Sequence, residues 1–292
     1  MHGVLLVDKP PGVGSAQVVR AIKRVVRPYR VGHLGTLDPF ATGLLPILIG
    51  EATKLAPFLE SSHKQYEGII ALGAETDSCD RTGQVVATAP VPRLDRAGVA
   101  AVAKQFIGEI RQVPPIFSAL KRAGVPLYKL ARRGEPVEPP PPRVVRIEAL
   151  ELDLVDFNHL RVSLICSPGT YVRTLARDIG LALGTMAHLV QLRRLATAGF
   201  VVVHAHRLEE LMEAPEQLSQ HVIPMAEALS KMARVEVDEE SERRLRHGDA
   251  SALIPSIGAR EGLFMAVRGS ELIAIAQCSG ADGLRLLRVF VR

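Results

Sequence analysis

The residues able to do chemistry concentrate in one stretch, Arg30-Val31-Gly32-His33-Leu34-Gly35-Thr36-Leu37-Asp38-Pro39-Phe40-Ala41-Thr42-Gly43. It sets one carboxylate and one histidine among glycines and apolar side chains. Pro39 biases Asp38 away from the α region, toward extended or turn backbone. The residues that follow, Leu44 to Gly50, are an apolar run of strand length that pins the loop to a core. An acid held there is poorly solvated and needs a cation beside it. Asp38 is therefore the candidate nucleophile.

Other constellations fall short. Gly12-Val13-Gly14 precedes a helical pattern, but the third glycine of a dinucleotide fingerprint is replaced by Gln17. No phosphate-loop Gly-Lys-Ser/Thr motif occurs, no His/Cys cluster has metal-ligand spacing, and no local motif suggests a Ser-His-Asp set. Asp77 and Asp80, in Thr76-Asp77-Ser78-Cys79-Asp80-Arg81-Thr82-Gly83, are candidates for the second carboxylate that glycosidic hydrolysis uses. Their setting reads instead as turn and cap hydrogen bonding. One carboxylate without metal or cofactor suits an internal rearrangement at a glycosidic carbon, with water excluded. A nucleobase so treated must first leave its stack, at a cost of about a few kcal/mol.

The elements that must position Asp38 follow from periodicity. Val4 to Lys9 reads as a strand ending in the turn Asp8-Lys9-Pro10-Pro11-Gly12. Ser15 reads as the N-cap of a helix with Val18, Val19, Ile22, Val25 and Val26 on one stripe and Arg20, Lys23, Arg24 and Arg27 on the other. Glu51 to Leu59 and Leu94 to Ile107 have helical spacing. Gln65 to Leu72, Gln84 to Ala87, Val144 to Val155, Leu160 to Cys166 and Phe200 to His204 read as strands. Between Gln112 and Arg143 the chain changes character. This strap opens on Pro114-Pro115, contains a short basic helix over Leu127 to Arg133, and ends in the stiff run Pro139 to Pro142. Gly169 to Ile179 is a loop running into a helix. Beyond Arg234 a strand, an acidic-to-basic helix ending Arg246-His247-Gly248 and three further strands make a small β-rich module, too short for an autonomous core and so expected to pack on the rest.

The 292 residues are 47 % hydrophobic and 23 % charged, an ordinary globular composition with apolar stretches far short of a membrane span. Three isolated cysteines, and an N-terminus with no basic n-region, point to the reducing cytoplasm. The net charge of +5 is unevenly spread. Residues 1–35 carry six Lys/Arg against Asp8, and residues 111–143 carry seven against Glu135 and Glu138. Two basic segments on a mildly acidic body suggest a polyanion such as a nucleic-acid backbone.

At this point the motifs carry a resemblance. Gly3-Val4-Leu5-Leu6-Val7-Asp8-Lys9-Pro10, Gly32-His33-Leu34-Gly35-Thr36-Leu37-Asp38-Pro39, Gly50-Glu51-Ala52-Thr53-Lys54 and Lys64-Gln65-Tyr66 resemble the bacterial TruB family of tRNA pseudouridine-55 synthases. Thr76-Asp77, Tyr128 to Gly134, Gly169-Thr170-Tyr171-Val172-Arg173-Thr174 and Leu192-Arg193-Arg194-Leu195 continue it in the family's order, so that it spans residues 3–205. Leu34 departs from the commoner pattern, which has a small polar residue beside His33.

The resemblance implies an α+β fold: a mixed, mainly antiparallel central sheet flanked by helices, with a catalytic domain over 1–232 and a PUA-like RNA-binding module over 233–292. It implies isomerisation of uridine to pseudouridine in the TΨC loop of tRNA, without metal or cofactor, by a monomer needing no protein partner. Asp38 would be the nucleophile and Arg173 its paired cation. Tyr66 would stack on the base and is a candidate proton acceptor. Tyr171 and Leu192 would line the base pocket, His33 would enter the space the flipped nucleotide leaves, and Lys9 would support the loop from beneath. The strap would be the family's thumb, with Lys121, Arg122, Lys129, Arg132 and Arg133 on T-loop phosphates. The alternative is a non-catalytic RNA-binding or tRNA-folding protein using the same surface; nucleoside hydrolysis is a third reading, marked by release of free uracil.

Overall fold

A computed structural model of the chain describes residues 1–59, 63–118, 120–122, 124–127, 130, 133, 138–279 and 283–291. In chain order its first strands are β1 (Gly3–Lys9), β2 (Val31–His33), β3 (Thr42–Ile49), β4 (Lys64–Leu72), β5 (Ala74–Thr76), β6 (Val85–Thr88) and β7 (Gly108–Gln112). Two-residue strands β8 (Lys121–Arg122) and β9 (Val125–Pro126) lie in the strap. They are followed by β10 (Arg143–Leu154), β11 (His159–Cys166), β12 (Ala187–Thr197), β13 (Phe200–Val201), β14 (His206–Arg207) and β15 (Val222–Pro224). The principal helices are α1 (Ser15–Val25), α2 (Arg96–Gln105) and α3 (Val172–Ala182).

The main sheet runs β14-β1-β3-β12-β4-β11-β10-β7, with β2 and β15 paired on β3 and β1. Its pairings are antiparallel except β1 with β14 and β3 with β12. This is the expected α+β architecture. β3 reads as an unbroken apolar run because it is covered on both sides. Leu45, Ile47 and Ile49 enter the core beneath the helices, while Leu44 and Leu48 enter a second core on the opposite face. β1 alternates in the same way, with Leu5 and Val7 on one side and Val4 and Leu6 on the other.

The second core joins the C-terminal strands β16 (Ala233–Glu236), β17 (Gly262–Arg268), β18 (Glu271–Ser279) and β19 (Gly283–Val289) to the back of the main sheet. Met265, Val267, Leu272, Ile275 and Phe290 from this module pack with Leu44 and Leu48, so the module docks as its small size requires. Its helix α4 (Glu239–Arg246) is held by Glu242, which meets Arg246 at 2.8 Å and Arg268 at 2.6 Å.

Local expectations were met with two exceptions. Gly14, not Ser15, is the N-cap of α1, and the Ser15 hydroxyl instead bonds both backbone groups of Leu37. Phe200 to His204 is a strand only through Val201, after which the chain turns in a 3-10 helix (Val202–His204). The expected helix over Leu127 to Arg133 falls largely outside the described residues. No helix among them is long and apolar enough to cross a membrane.

Candidate active site

β2 and β3 form a hairpin, Val31 opposite Ile49 and His33 opposite Ile47, whose tip is the loop carrying Asp38. Leu37, Phe40 and Ala41 sink into the core and leave Asp38 between apolar anchors. The backbone of the tip is held from several sides. Ser15 bonds Leu37 N–H at 2.8 Å and donates to its carbonyl at 3.0 Å. Gly12 N–H and the Lys9 ammonium both donate to the Pro39 carbonyl, at 2.7 and 3.3 Å. Gly43 closes the loop at φ +96°, where a Cβ would stand 2.4 Å from the Arg194 carbonyl on β12. Glycine is required there both for the backbone angle and for the parallel contact of β3 with β12.

The cation comes from far along the chain. Arg173 stands in the first turn of α3, with only 5 % of its side chain exposed. Its Nε meets Asp38 Oδ2 at 2.8 Å and its Nη2 donates to Asp38 Oδ1 at 3.2 Å, a two-point pair. A cation at a helix N-terminus opposes the helix dipole. Here a second carboxylate offsets it: Asp80 Oδ2 lies 3.4 Å from Arg173 Nη1. The same guanidinium donates to the Ser78 carbonyl at 2.9 Å and the Phe117 carbonyl at 2.8 Å. Arg173 thus joins the loop bearing Asp38, the β5–β6 turn and the strap.

Asp38 keeps 33 % of its side chain exposed while its partner is sealed, so the carboxylate is presented to one open side. Desolvation raises its pKa above the usual carboxylate value; Arg173 opposes this, Asp80 adds to it and Lys9 opposes it. The two-point pair with Arg173 stabilises the ionised form against that desolvation. Lys9 is fully buried and donates to the carbonyls of Pro10 at 2.9 Å and Val13 at 2.6 Å as well as to Pro39. Burial lowers its pKa to about 8, with Asp38 resisting and Arg194 assisting. It therefore stays an ammonium at pH 7.

Of the residues singled out in the sequence, Asp38, Arg173 and Lys9 come together. Tyr66 is buried in the same core as Leu37, Phe40 and Leu192, and its hydroxyl feels both Asp38 and Arg194. Burial pushes that phenol up, with Arg194 pulling back. Leu192 is buried on β12, opposite Gly68 of β4. His33 is half-buried at the end of β2. Tyr171 caps α3: its N–H donates to Gln112 Oε1 at 3.0 Å and its carbonyl accepts from Gln112 Nε2 at 3.3 Å. The Arg143 guanidinium lies 4.9 Å above its ring centre and donates to its hydroxyl at 3.2 Å. Gln112 and Arg143 face each other on one rung of β7 and β10, so the strap leaves and rejoins the sheet at a single place. A hollow of about 590 Å³ is lined by strap residues, among them Leu127 and the prolines 139–142, together with Arg143; Asp38 does not line it. Lys121 and Arg122 contribute the backbone of β8, Arg133 is exposed, and Lys129 and Arg132 lie outside the described residues.

Sequence reasoning weighed Asp80 as a second carboxylate and read it as a turn residue, and it gave Gln112 and Arg194 no role. Asp80 does make turn bonds, from Ser78 Oγ at 2.9 Å and Thr82 N–H at 2.9 Å, yet its other oxygen faces Arg173. Gln112 and Arg194 carried one available signal, a polar side chain within a strand.

The chain matches known proteins in sequence and in fold. Residues 23–172 match the TruB family pseudouridylate synthase N-terminal domain and residues 173–230 the tRNA pseudouridylate synthase B C-terminal domain. The tRNA pseudouridine synthase B of Geobacter sulfurreducens is 41 % identical over 99 % of this chain and 100 % of its own length. That of Syntrophotalea carbinolica is 43 % identical over 99 % and 98 %. Among solved structures, a chain of a Cbf5-Nop10-Gar1 complex superposes with a TM-score of 0.74 at 25 % identity, covering 99 % of this chain and 85 % of its own. With relatives so similar over the full length, and family models matched over residues 23–172 and 173–230, the chain belongs to the TruB family of pseudouridylate synthases.

Proposed function

We propose that the chain converts uridine 55 in the TΨC loop of tRNA into pseudouridine, with Asp38 as the nucleophile and without metal or cofactor. The observation that carries this reading is the Asp38–Arg173 pair, sealed on the arginine side and open on the aspartate side. In the isomerisation the C1′–N1 bond breaks, a C1′–C5 bond forms, and the hydrogen lost from C5 is balanced by one gained at N1. A carboxylate assists by adding to C1′ as positive charge develops there, or by adding to the pyrimidine ring. Both routes need the same ionised oxygen, held ready by a fixed guanidinium. Tyr66 stacks on the uracil and its phenol oxygen is the nearby proton acceptor. Tyr171 and Leu192 bound the pocket, His33 fills the gap left in the RNA, and Lys9 stiffens the loop.

The strap, through Lys121, Arg122, Lys129, Arg132 and Arg133, grips T-arm phosphates, and residues 233–292 act as a PUA-like module on the same RNA. The enzyme works as a cytoplasmic monomer. The test is a position-resolved pseudouridine assay on unmodified tRNA. Asp38→Asn is expected to bind tRNA with unchanged affinity and form no product. Retained pseudouridine would remove Asp38 from the role of nucleophile, release of free uracil would make the protein a hydrolase, and binding by the unaltered chain without any product would favour a tRNA-folding role.

A further inference from the structure

We propose that Arg194 is a positioning residue, whose guanidinium ties the hairpin tip bearing Asp38 to the phenol oxygen of Tyr66. The inference rests on the proposed function for its consequence, though not for its geometry. Among the described residues Arg194 is the largest fully buried side chain, and no carboxylate among them stands within ion-pair distance of it. A buried cation without an anion is costly unless polar groups replace its water. Backbone carbonyls do so here. Nε donates to Leu44 O at 2.8 Å and Nη2 to Gly35 O at 3.0 Å, one on each stem of the loop that carries Asp38. Nη1 is buried without a hydrogen-bond partner.

The strand register says what that third nitrogen serves. Arg194 pairs with Tyr66 across β12 and β4, so both side chains leave the same face of the sheet. Both are buried, and Tyr66 is the titratable group whose charge acts on the guanidinium. Arg193, one residue earlier, belongs to the other face and forms a half-exposed pair with Asp8 at 2.7 and 3.0 Å. Two adjacent arginines therefore do different work. A rigid planar group with separate donor directions fixes the hairpin stems against Tyr66, and it favours negative charge on the phenol oxygen at the moment that oxygen takes part in proton transfer. Lysine, with its donors on a single atom, cannot span the same acceptors.

A double-mutant cycle tests this, with single-turnover pseudouridine formation and tRNA Kd measured for Arg194→Lys, Tyr66→Phe and both together. Arg194→Lys is expected to slow the reaction at least tenfold while Kd changes less than threefold. In the Tyr66→Phe background the same substitution is expected to cost at least threefold less. Fully additive losses would overturn the proposal, because a role confined to holding the loop does not depend on the Tyr66 hydroxyl. Should Arg194→Lys fail to fold, the intact arginine can be observed directly. In protein labelled with 13C,15N-arginine, Tyr66→Phe is expected to shift the Arg194 side-chain resonances and speed exchange of its Nη hydrogens; unchanged resonances would overturn the proposal. This second measurement needs no turnover, so it separates failure of the Arg194–Tyr66 link from failure of the proposed activity.

Discussion

Arg173→Lys keeps a positive charge beside Asp38 and removes the fork. The guanidinium reaches five acceptor oxygens at 2.8 to 3.4 Å: two on Asp38, one on Asp80 and the carbonyls of Ser78 and Phe117. An ammonium carries three protons on one nitrogen, so at least two of those oxygens lose their donor. One bond of the Asp38 pair is worth about 1.5–3 kcal/mol, or roughly ten- to two-hundred-fold in rate. Its removal weakens the main influence holding the Asp38 pKa down, while desolvation and Asp80 continue to raise it. The acid limb of the rate profile should then move to higher pH, by on the order of one unit for each 1.36 kcal/mol of interaction removed. Single-turnover pseudouridine formation across a pH series from about 5 to 8, with tRNA Kd alongside, reads both effects. A rate within threefold of the unaltered chain and an unmoved acid limb would refute the reasoning, and would leave Arg173 as a structural clip.

Other perturbations follow from the same geometry. Lys9 has its pKa lowered from 10.5 to about 8, so between those values the unfolded chain holds a proton that the folded chain has released. Stability should therefore rise with pH across that window, by up to roughly 3 kcal/mol, and Lys9→Met should abolish the rise in urea unfolding curves. Gly43→Ala puts a methyl 2.4 Å from the Arg194 carbonyl at a φ of +96°; a destabilisation of about 2–4 kcal/mol is expected, and an unchanged melting temperature would show that β3 and β12 separate freely. Removing Lys129 and Arg132 together should weaken tRNA binding and flatten the plot of log K against log salt by roughly 0.7–0.9 for each phosphate no longer neutralised, whereas an unaltered slope would rule the strap out as a phosphate grip.

What the sequence determined by itself was local. Pro39 and the glycines framed Asp38 in a turn, the apolar run of β3 marked it as a central strand, and the stripe from Val18 to Val26 marked α1, because each is written in spacings of a few residues. The motif order then named the family. The site itself was only half legible, since its partners are set by closeness in space. Arg173 lies 135 residues from Asp38, and Gln112 lies 59 from the Tyr171 it holds. Asp80 looked like a turn residue because it is one, and nothing in its neighbourhood announces that its second oxygen faces an arginine from another element. Arg193 and Arg194 are the same residue type in succession, yet one forms a surface pair and the other a buried tie. Period-two alternation says that they face opposite ways, but only the packed sheet decides which side is sealed. A sequence records which faces want to be buried; the identity of the neighbour across each buried contact emerges when distant strands choose their register.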